Sequence, residues 1–129
     1  MKIYVAGHRG MVGSAIVRAI DSEKKHTWIG ATRSELDLTD RVAVFDYLKT
    51  NKPDAVLIAA AKVGGIVAND ALPVDFLSEN LQIQTNLLDG SHAAGIQKLV
   101  FLAILQKVDW STFAGLVSSS DVSETLNQN

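Results

Sequence analysis

Gly7-His8-Arg9-Gly10-Met11-Val12-Gly13 is the stretch that decides the fold of this chain. It follows the apolar run Ile3-Tyr4-Val5-Ala6 and opens a segment with apolar residues at Val12, Ala15, Ile16, Ala19 and Ile20. A strand, a glycine-rich turn and a helix, in that order, build a site for a dinucleotide pyrophosphate. Gly7 permits the tight turn, and Gly10 lets the backbone approach the phosphates. Gly13 lets the helix pack closely on the strand, and free N–H groups at the helix start face the anion. Three glycines alone specify little, because a plain βα turn would also use them. The i, i+3, i+4, i+7, i+8 stripe of a helix lying on a sheet is what favours nucleotide binding. All seven residues of the turn are therefore candidate cofactor contacts.

Outward from the turn, strands and helices alternate. The pattern predicts strands over residues 2–6, 27–32, 55–60 and 98–102, and helices over 11–22, 39–50 and 73–94. Thr39 is a fair N-cap for the second helix, with Asp40 in its first turn. The unbroken apolar run Ala55-Val56-Leu57-Ile58-Ala59-Ala60 suits a parallel strand covered on both faces. Gly95 stops the third helix, whose Phe76, Leu77, Leu81, Ile83, Leu87 and Leu88 populate more than one face and predict a well-buried helix. Alternation of this kind gives a parallel α/β sheet, Rossmann-like, with helices on both faces. The rhythm stops after Leu102. Residues 1–102 read as an incomplete nucleotide-binding domain and 103–129 as a divergent, partly disordered tail. The outer edge of the last strand, beside Val100 and Leu102, is expected to lie open.

Composition narrows the function. The chain has 129 residues, enough for one domain, and a net charge of −2, so no basic footprint points to nucleic acid. With no cysteine it has no disulfide, no Cys-based zinc site and no thiol nucleophile. No signal-peptide or membrane-spanning pattern is present, and a cytoplasmic protein is the expectation. His26 and His92 read as surface residues without a third partner for a metal, and Trp28 as a core residue.

In such folds the end of the second strand meets the adenosine ribose, where an acid favours NAD and an arginine accommodates the 2′-phosphate of NADP. That position holds Arg33, and Arg9 lies inside the glycine turn. Two guanidiniums around one phosphate favour NADP(H); the alternative is two solvated surface charges. Asp37-Leu38 could flank adenine, or Asp37 could simply close a turn. Ala59-Ala60-Ala61 are small enough for a cofactor to pass, or are ordinary close packing. Lys62, beside Gly64 and Gly65, lies past a strand's carboxyl end and could touch substrate or nicotinamide. His8 reads either as a phosphate contact or as a solvated turn residue, and Asn80 and Asn86 could bond neighbouring loops.

The G-x-x-G-x-x-G spacing resembles the short-chain dehydrogenase/reductase superfamily. Val5 to Ile16 together with Ala59-Ala60-Ala61-Lys62-Val63-Gly64-Gly65-Ile66, Asn69, Pro73, Asp75-Phe76 and the segment Asn80-Leu81-Gln82-Ile83-Gln84-Thr85-Asn86 resemble the GDP-L-fucose synthase family, over roughly residues 1–102. That resemblance implies an NADPH-dependent epimerase/reductase of a GDP-linked keto-deoxymannose, and a homodimer that uses the long third helix and a later one. It also implies a catalytic Ser, a Tyr with Lys four residues on, and a Cys and a His for epimerisation. Here Phe101-Leu102 continues as Ala103-Ile104-Leu105-Gln106, not as Gly-Ser-Ser-Cys-Ile-Tyr-Pro. Neither Tyr4 nor Tyr47 has a lysine four residues on, so no catalytic residue is assigned. The break after Leu102 points to a reading-frame change or early end. The competing readings are a non-catalytic nucleotide-binding module and a fragment of another sugar-nucleotide epimerase or dehydratase.

Overall fold

The computed structural model describes residues 1–61 and 73–102. Four parallel strands form one sheet in the order β2-β1-β3-β4: β1 (Lys2–Ala6), β2 (Thr27–Ile29), β3 (Ala55–Ile58) and β4 (Lys98–Phe101). Register runs Ile3 beside Trp28 on one side and beside Ala55 on the other, with Ile58 beside Phe101 at the far end. The helices are α1 (Met11–Glu23), α2 (Arg41–Asn51) and α3 (Pro73–Ala93). This is the parallel α/β architecture that the alternation predicts. Strands β2, β3 and β4 are shorter than their apolar runs, because those runs continue into the loops that leave the sheet.

Period-2 alternation sorts the strand residues between two faces. Tyr4, Ala6, Val56 and Ile58 point to one face and form a buried cluster with Val44 and Leu48 of α2 and Ile83 and Leu87 of α3. The valine, isoleucine and leucine side chains among these each contribute about 1.5–3 kcal/mol by leaving water. Val5 is fully buried on the opposite face, where α1 lies against β1 and β2. That second face is less completely covered than expected. Ala55 and Leu57 of β3 are half-buried, and Val100 of β4 is exposed. Coverage of both faces of β3 is therefore incomplete among the described residues, because α1 reaches only the β1–β2 half.

Several local expectations are corrected. Asp40, not Thr39, is the N-cap of α2: its side chain accepts from the Ala43 N–H at 3.1 Å. Thr39 instead donates to Asp37. Helix α3 is not buried all round. Ile83, Asn86 and Leu87 face the core, while Val74, Leu77, Leu81 and Leu88 are exposed along one stripe. Trp28 lies outside the core cluster; its indole N–H donates to Asp21 at 3.0 Å and its ring meets that of His8. Gly95 does end α3, with φ at +72°. Among the described residues no strand pairs with the outer edge of β4, and Phe101 and Leu102 are exposed beside Val100. Residues 103–129, read above as a tail, lie outside the described residues.

Candidate functional site

Ligands of open α/β sheets bind outside the carboxyl ends of the strands, and the glycine turn sits there, between β1 and α1. Gly7 has φ of +85°, a left-handed value that other residues rarely adopt. A Cβ on Gly7 would lie 2.7 Å from the backbone of Ala60, so the turn is pressed directly against the end of β3. Gly13 backs onto the same turn: its Cβ would fall 2.0 Å from the Gly7 carbonyl oxygen. The Gly10 N–H donates to Gly7 O at 2.9 Å, and Gly10 is itself the N-cap of α1, with no side chain over the helix end. The turn thus presents bare backbone and the positive end of a helix dipole to the space beyond the sheet.

A cleft of about 240 Å³ opens at this point. Gly7 and Gly10 form one wall, and Ala59, Ala60 and Ala61 another. Arg33, Asp37 and Leu38 from the loop after β2, with Glu79 from α3, complete it. The sequence candidates Gly7, Gly10, Arg33, Asp37, Leu38, Ala59, Ala60 and Ala61 therefore converge, although they come from three separate segments. His8, Arg9, Met11, Val12 and Gly13 do not line the cleft. Gly13 acts from behind, by close packing, whereas Met11 projects into solvent. Lys62 lies outside the described residues.

Among the described residues, one ion pair lies at this end of the sheet. Arg33 Nη2 donates to Glu79 Oε1 at 3.0 Å. Arg33 is largely exposed, and Glu79 is only 18% exposed. Arg9 is exposed and near Glu35. The Glu35 carboxyl is held below the usual range chiefly by the Thr32 N–H and hydroxyl, with Arg9 a smaller influence. Asp37 closes its own turn, accepting from the Thr39 hydroxyl at 2.7 Å and the Thr39 N–H at 2.9 Å. Those two bonds hold its carboxyl below the ordinary value. The turn reading of Asp37 and its place on the cleft are thus both present in one residue.

The loop is anchored from below. Buried Asn86 donates from Nδ2 to the carbonyls of Leu38 and Thr39, each at 3.0 Å. His8 is not a solvated turn residue: it is half-buried, with its ring 5.6 Å from that of Trp28. A Cβ on Gly30 would lie 2.5 Å from His8 Nδ1, so Gly30 is the seat of the imidazole. That nitrogen is buried without a hydrogen-bond partner among the described residues. Sequence reasoning missed Glu79 and Gly30. No spacing rule ties either to the turn.

A larger hollow, about 960 Å³, lies between Met1, Pro53, Asp54, Gly95 and Lys98. It sits at the amino ends of the strands, the wrong end of the sheet for a nucleotide, and it lacks a glycine turn. The smaller cleft is the candidate site. Among the described residues, no group of His, Asp or Glu could hold a metal ion. No helix there is long and apolar enough to cross a membrane.

Sheet order, glycine turn and the helix that follows place the chain in the Rossmann-like, nucleotide-binding α/β class. More narrowly, the chain belongs to the NAD dependent epimerase/dehydratase family, whose profile matches residues 3–103. It is 52% identical over 101 residues to a GDP-L-fucose synthase of Sinorhizobium fredii, covering 78% of this chain and 32% of that protein. It is 45% identical over 101 residues to GDP-L-fucose synthase of Escherichia coli, with 78% and 32% covered. Among solved structures it resembles a GDP-mannoheptose C4 reductase from Campylobacter jejuni with NADP bound. There the TM-score is 0.73 at 40% identity, covering 78% of this chain and 32% of that one. The chain spans about a third of the length of the curated relatives it matches.

Proposed function

We propose that this chain is the NADP(H)-binding part of a GDP-L-fucose synthase-like enzyme, an epimerase/reductase acting on a GDP-linked keto-deoxy sugar. The observation that carries the reading is the contact of Gly7 with Ala60 beside an uncapped helix start, in one cleft with Arg33. That cradle suits a pyrophosphate: any side chain at Gly7 or Gly13 would fill or distort it. The relatives' names, and the NADP in the Campylobacter structure, support the choice of cofactor and sugar class.

The cofactor, when bound, supplies hydride for reduction of a ketone. The residues of this chain bind and orient it. The turn N–H groups hold phosphate, Ala59, Ala60 and Ala61 leave room beside it, and Leu38 offers an apolar side to the adenine. Arg33 meets the 2′-phosphate. No described residue is assigned to proton transfer. Tyr4 is buried in the core, where burial and then Tyr47 raise its hydroxyl well above the usual value. Tyr47 meets it in a tilted ring contact, 5.1 Å between centres, and has no lysine four residues on. The chain has no cysteine. Our reading is therefore binding without turnover by the chain as it stands.

Titration with NADPH, followed by nicotinamide fluorescence, tests this. Micromolar binding, weaker binding of NADH and no turnover of the GDP-keto-sugar are expected. Failure to bind either nucleotide by a folded chain refutes the cofactor reading, and turnover refutes the second part.

A further inference from the structure

His8 is the second residue of the glycine turn, and its side chain does not line the cleft. Its half-buried ring is instead received by β2 and the residue after it. Trp28 brings its own ring to 5.6 Å from that of His8, tilted by 35°. Trp28 is tied in turn to α1, its indole N–H donating to Asp21 at 3.0 Å. Two positions on, and on the same face of an extended chain, Gly30 leaves the space that the imidazole fills. A Cβ there would lie 2.5 Å from Nδ1 and 2.7 Å from Cγ. From α1, Gly13 admits the His8 backbone, since its Cβ would stand 3.0 Å from the His8 Cα.

Two details say what holds the ring. Among the described residues the glycines with left-handed φ are Gly7 and Gly95, so the backbone at Gly30 would suit alanine. The three atoms nearest to a Cβ at Gly30 all belong to the His8 ring. The ring, not the backbone, accounts for glycine at this position. The second detail is Nδ1, buried with no hydrogen-bond partner among the described residues. Shape, and not a bond to that nitrogen, keeps the ring in place.

We propose that His8 is a positioning residue: its ring, wedged against Trp28 and Gly30, fixes the glycine turn to the end of β2 in the shape that binds pyrophosphate, without touching the nucleotide. The inference rests on the reading of the cleft as a cofactor site. On its other side the turn is already pressed against the chain leaving β3, through Gly7 and Ala60. The turn is therefore braced on both flanks of β1. Bracing sets the direction of the backbone N–H groups at the start of α1. A donor that swings away loses a charge-assisted bond to phosphate.

The test is the Kd for NADPH on the whole chain, read by nicotinamide fluorescence, with far-UV circular dichroism to confirm folding. Gly30→Ala drives the ring off its seat and should weaken binding about tenfold, roughly the worth of one such bond. His8→Ala removes the ring and should also weaken binding about tenfold. The double variant has no ring left to displace, so its loss should stay at about tenfold and not reach about a hundredfold. His8→Phe returns a flat ring without nitrogen and should bind within about threefold of the parent. Rescue by such a ring separates positioning from a direct phosphate contact, which needs an imidazole N–H.

An unchanged Kd for Gly30→Ala, additive losses in the double variant, or a His8→Phe as weak as His8→Ala each overturns the proposal. If His8→Phe does not fold, the cycle of Gly30→Ala, His8→Ala and the double variant decides. Should the unaltered chain not bind NADPH, the cofactor reading fails and this proposal with it. Should it bind NADPH with a Kd indifferent to His8 and Gly30, only this proposal fails.

Discussion

Replacing Gly13 by alanine should destabilise the protein even though alanine is the better helix former. Gly13 lies in the first turn of α1, where the propensity gain from Gly to Ala is at most about 1 kcal/mol. Against it stands a Cβ only 2.0 Å from the Gly7 carbonyl oxygen and 2.7 Å from its carbon. Restoring ordinary contact needs a displacement of roughly 1.4 Å, and the obstacle is backbone in a close-packed turn. Overpacking of this kind costs ~1–3 kcal/mol. The hydrogen bond from Gly10 to that same carbonyl is worth about 1 kcal/mol more. The clash wins, and the expected net loss is about 2 kcal/mol, a fall of roughly 10 °C in Tm for a domain of this size. Gly90 supplies the control. It also lies within a helix, but its Cβ would meet only side-chain atoms, of Leu48, Phe45 and Val44, at 3.1–3.4 Å. Those ends can give by a few tenths of an ångström, so Gly90→Ala should fall within about 0.5 kcal/mol of the parent. Urea unfolding of both variants, read by far-UV circular dichroism, makes the comparison. Equal stabilities for Gly13→Ala and Gly90→Ala would refute the argument that the turn is held by backbone contact.

Two further outcomes follow from the loop after β2. Asn86→Ala removes both donors to the carbonyls of Leu38 and Thr39 at a buried position. It should cost about 2 kcal/mol in urea unfolding and weaken NADPH binding, because those residues border the cleft. The acid limb of stability should also depend on Asp37. Its folded carboxyl lies below the ordinary value because of the Thr39 hydroxyl and N–H. The stabilisation is therefore fully present above its unfolded value near pH 4 and is lost as pH falls through the lower folded one. Thr39→Ala, which removes the larger cause, should flatten the decline of Tm below about pH 4, and an unchanged decline would discount the bond.

Much of the fold was legible because it is written in periodicity. The stripe at Val12, Ile16 and Ile20 specifies α1, and the apolar run at Ala55-Val56-Leu57-Ile58 specifies a central strand, each within a few residues of its observed bounds. Ends were less legible where two residues compete. Thr39 and Asp40 can each cap a helix, and the choice went to Asp40 because Asp37 already holds the Thr39 hydroxyl. Helices α1 and α2 end on Lys24 and Lys52 in left-handed conformation, where no glycine marks the stop. Burial of α3 was misread because apolar residues on several faces look alike in one dimension, whether a neighbour covers them or not. Val74, Leu77 and Leu81 are exposed, and periodicity alone cannot say that.

The site divides along a different line. Gly10 and Gly13 were readable because their constraint is local: a Cβ on either would meet the Gly7 carbonyl, three and six positions earlier in the chain. Gly30 was not, because its constraint is the His8 ring, 22 positions earlier in the chain and brought alongside only when β2 pairs with β1. Glu79 is further still, 46 positions from Arg33. Its meeting with Arg33 requires the chain to pass through α2 and β3 before α3 begins. An arginine after β2 can be read from a spacing rule, but the charge that stands behind it cannot. A spacing rule therefore finds the arginine, whereas only the folded sheet brings Glu79 within 3.0 Å of it.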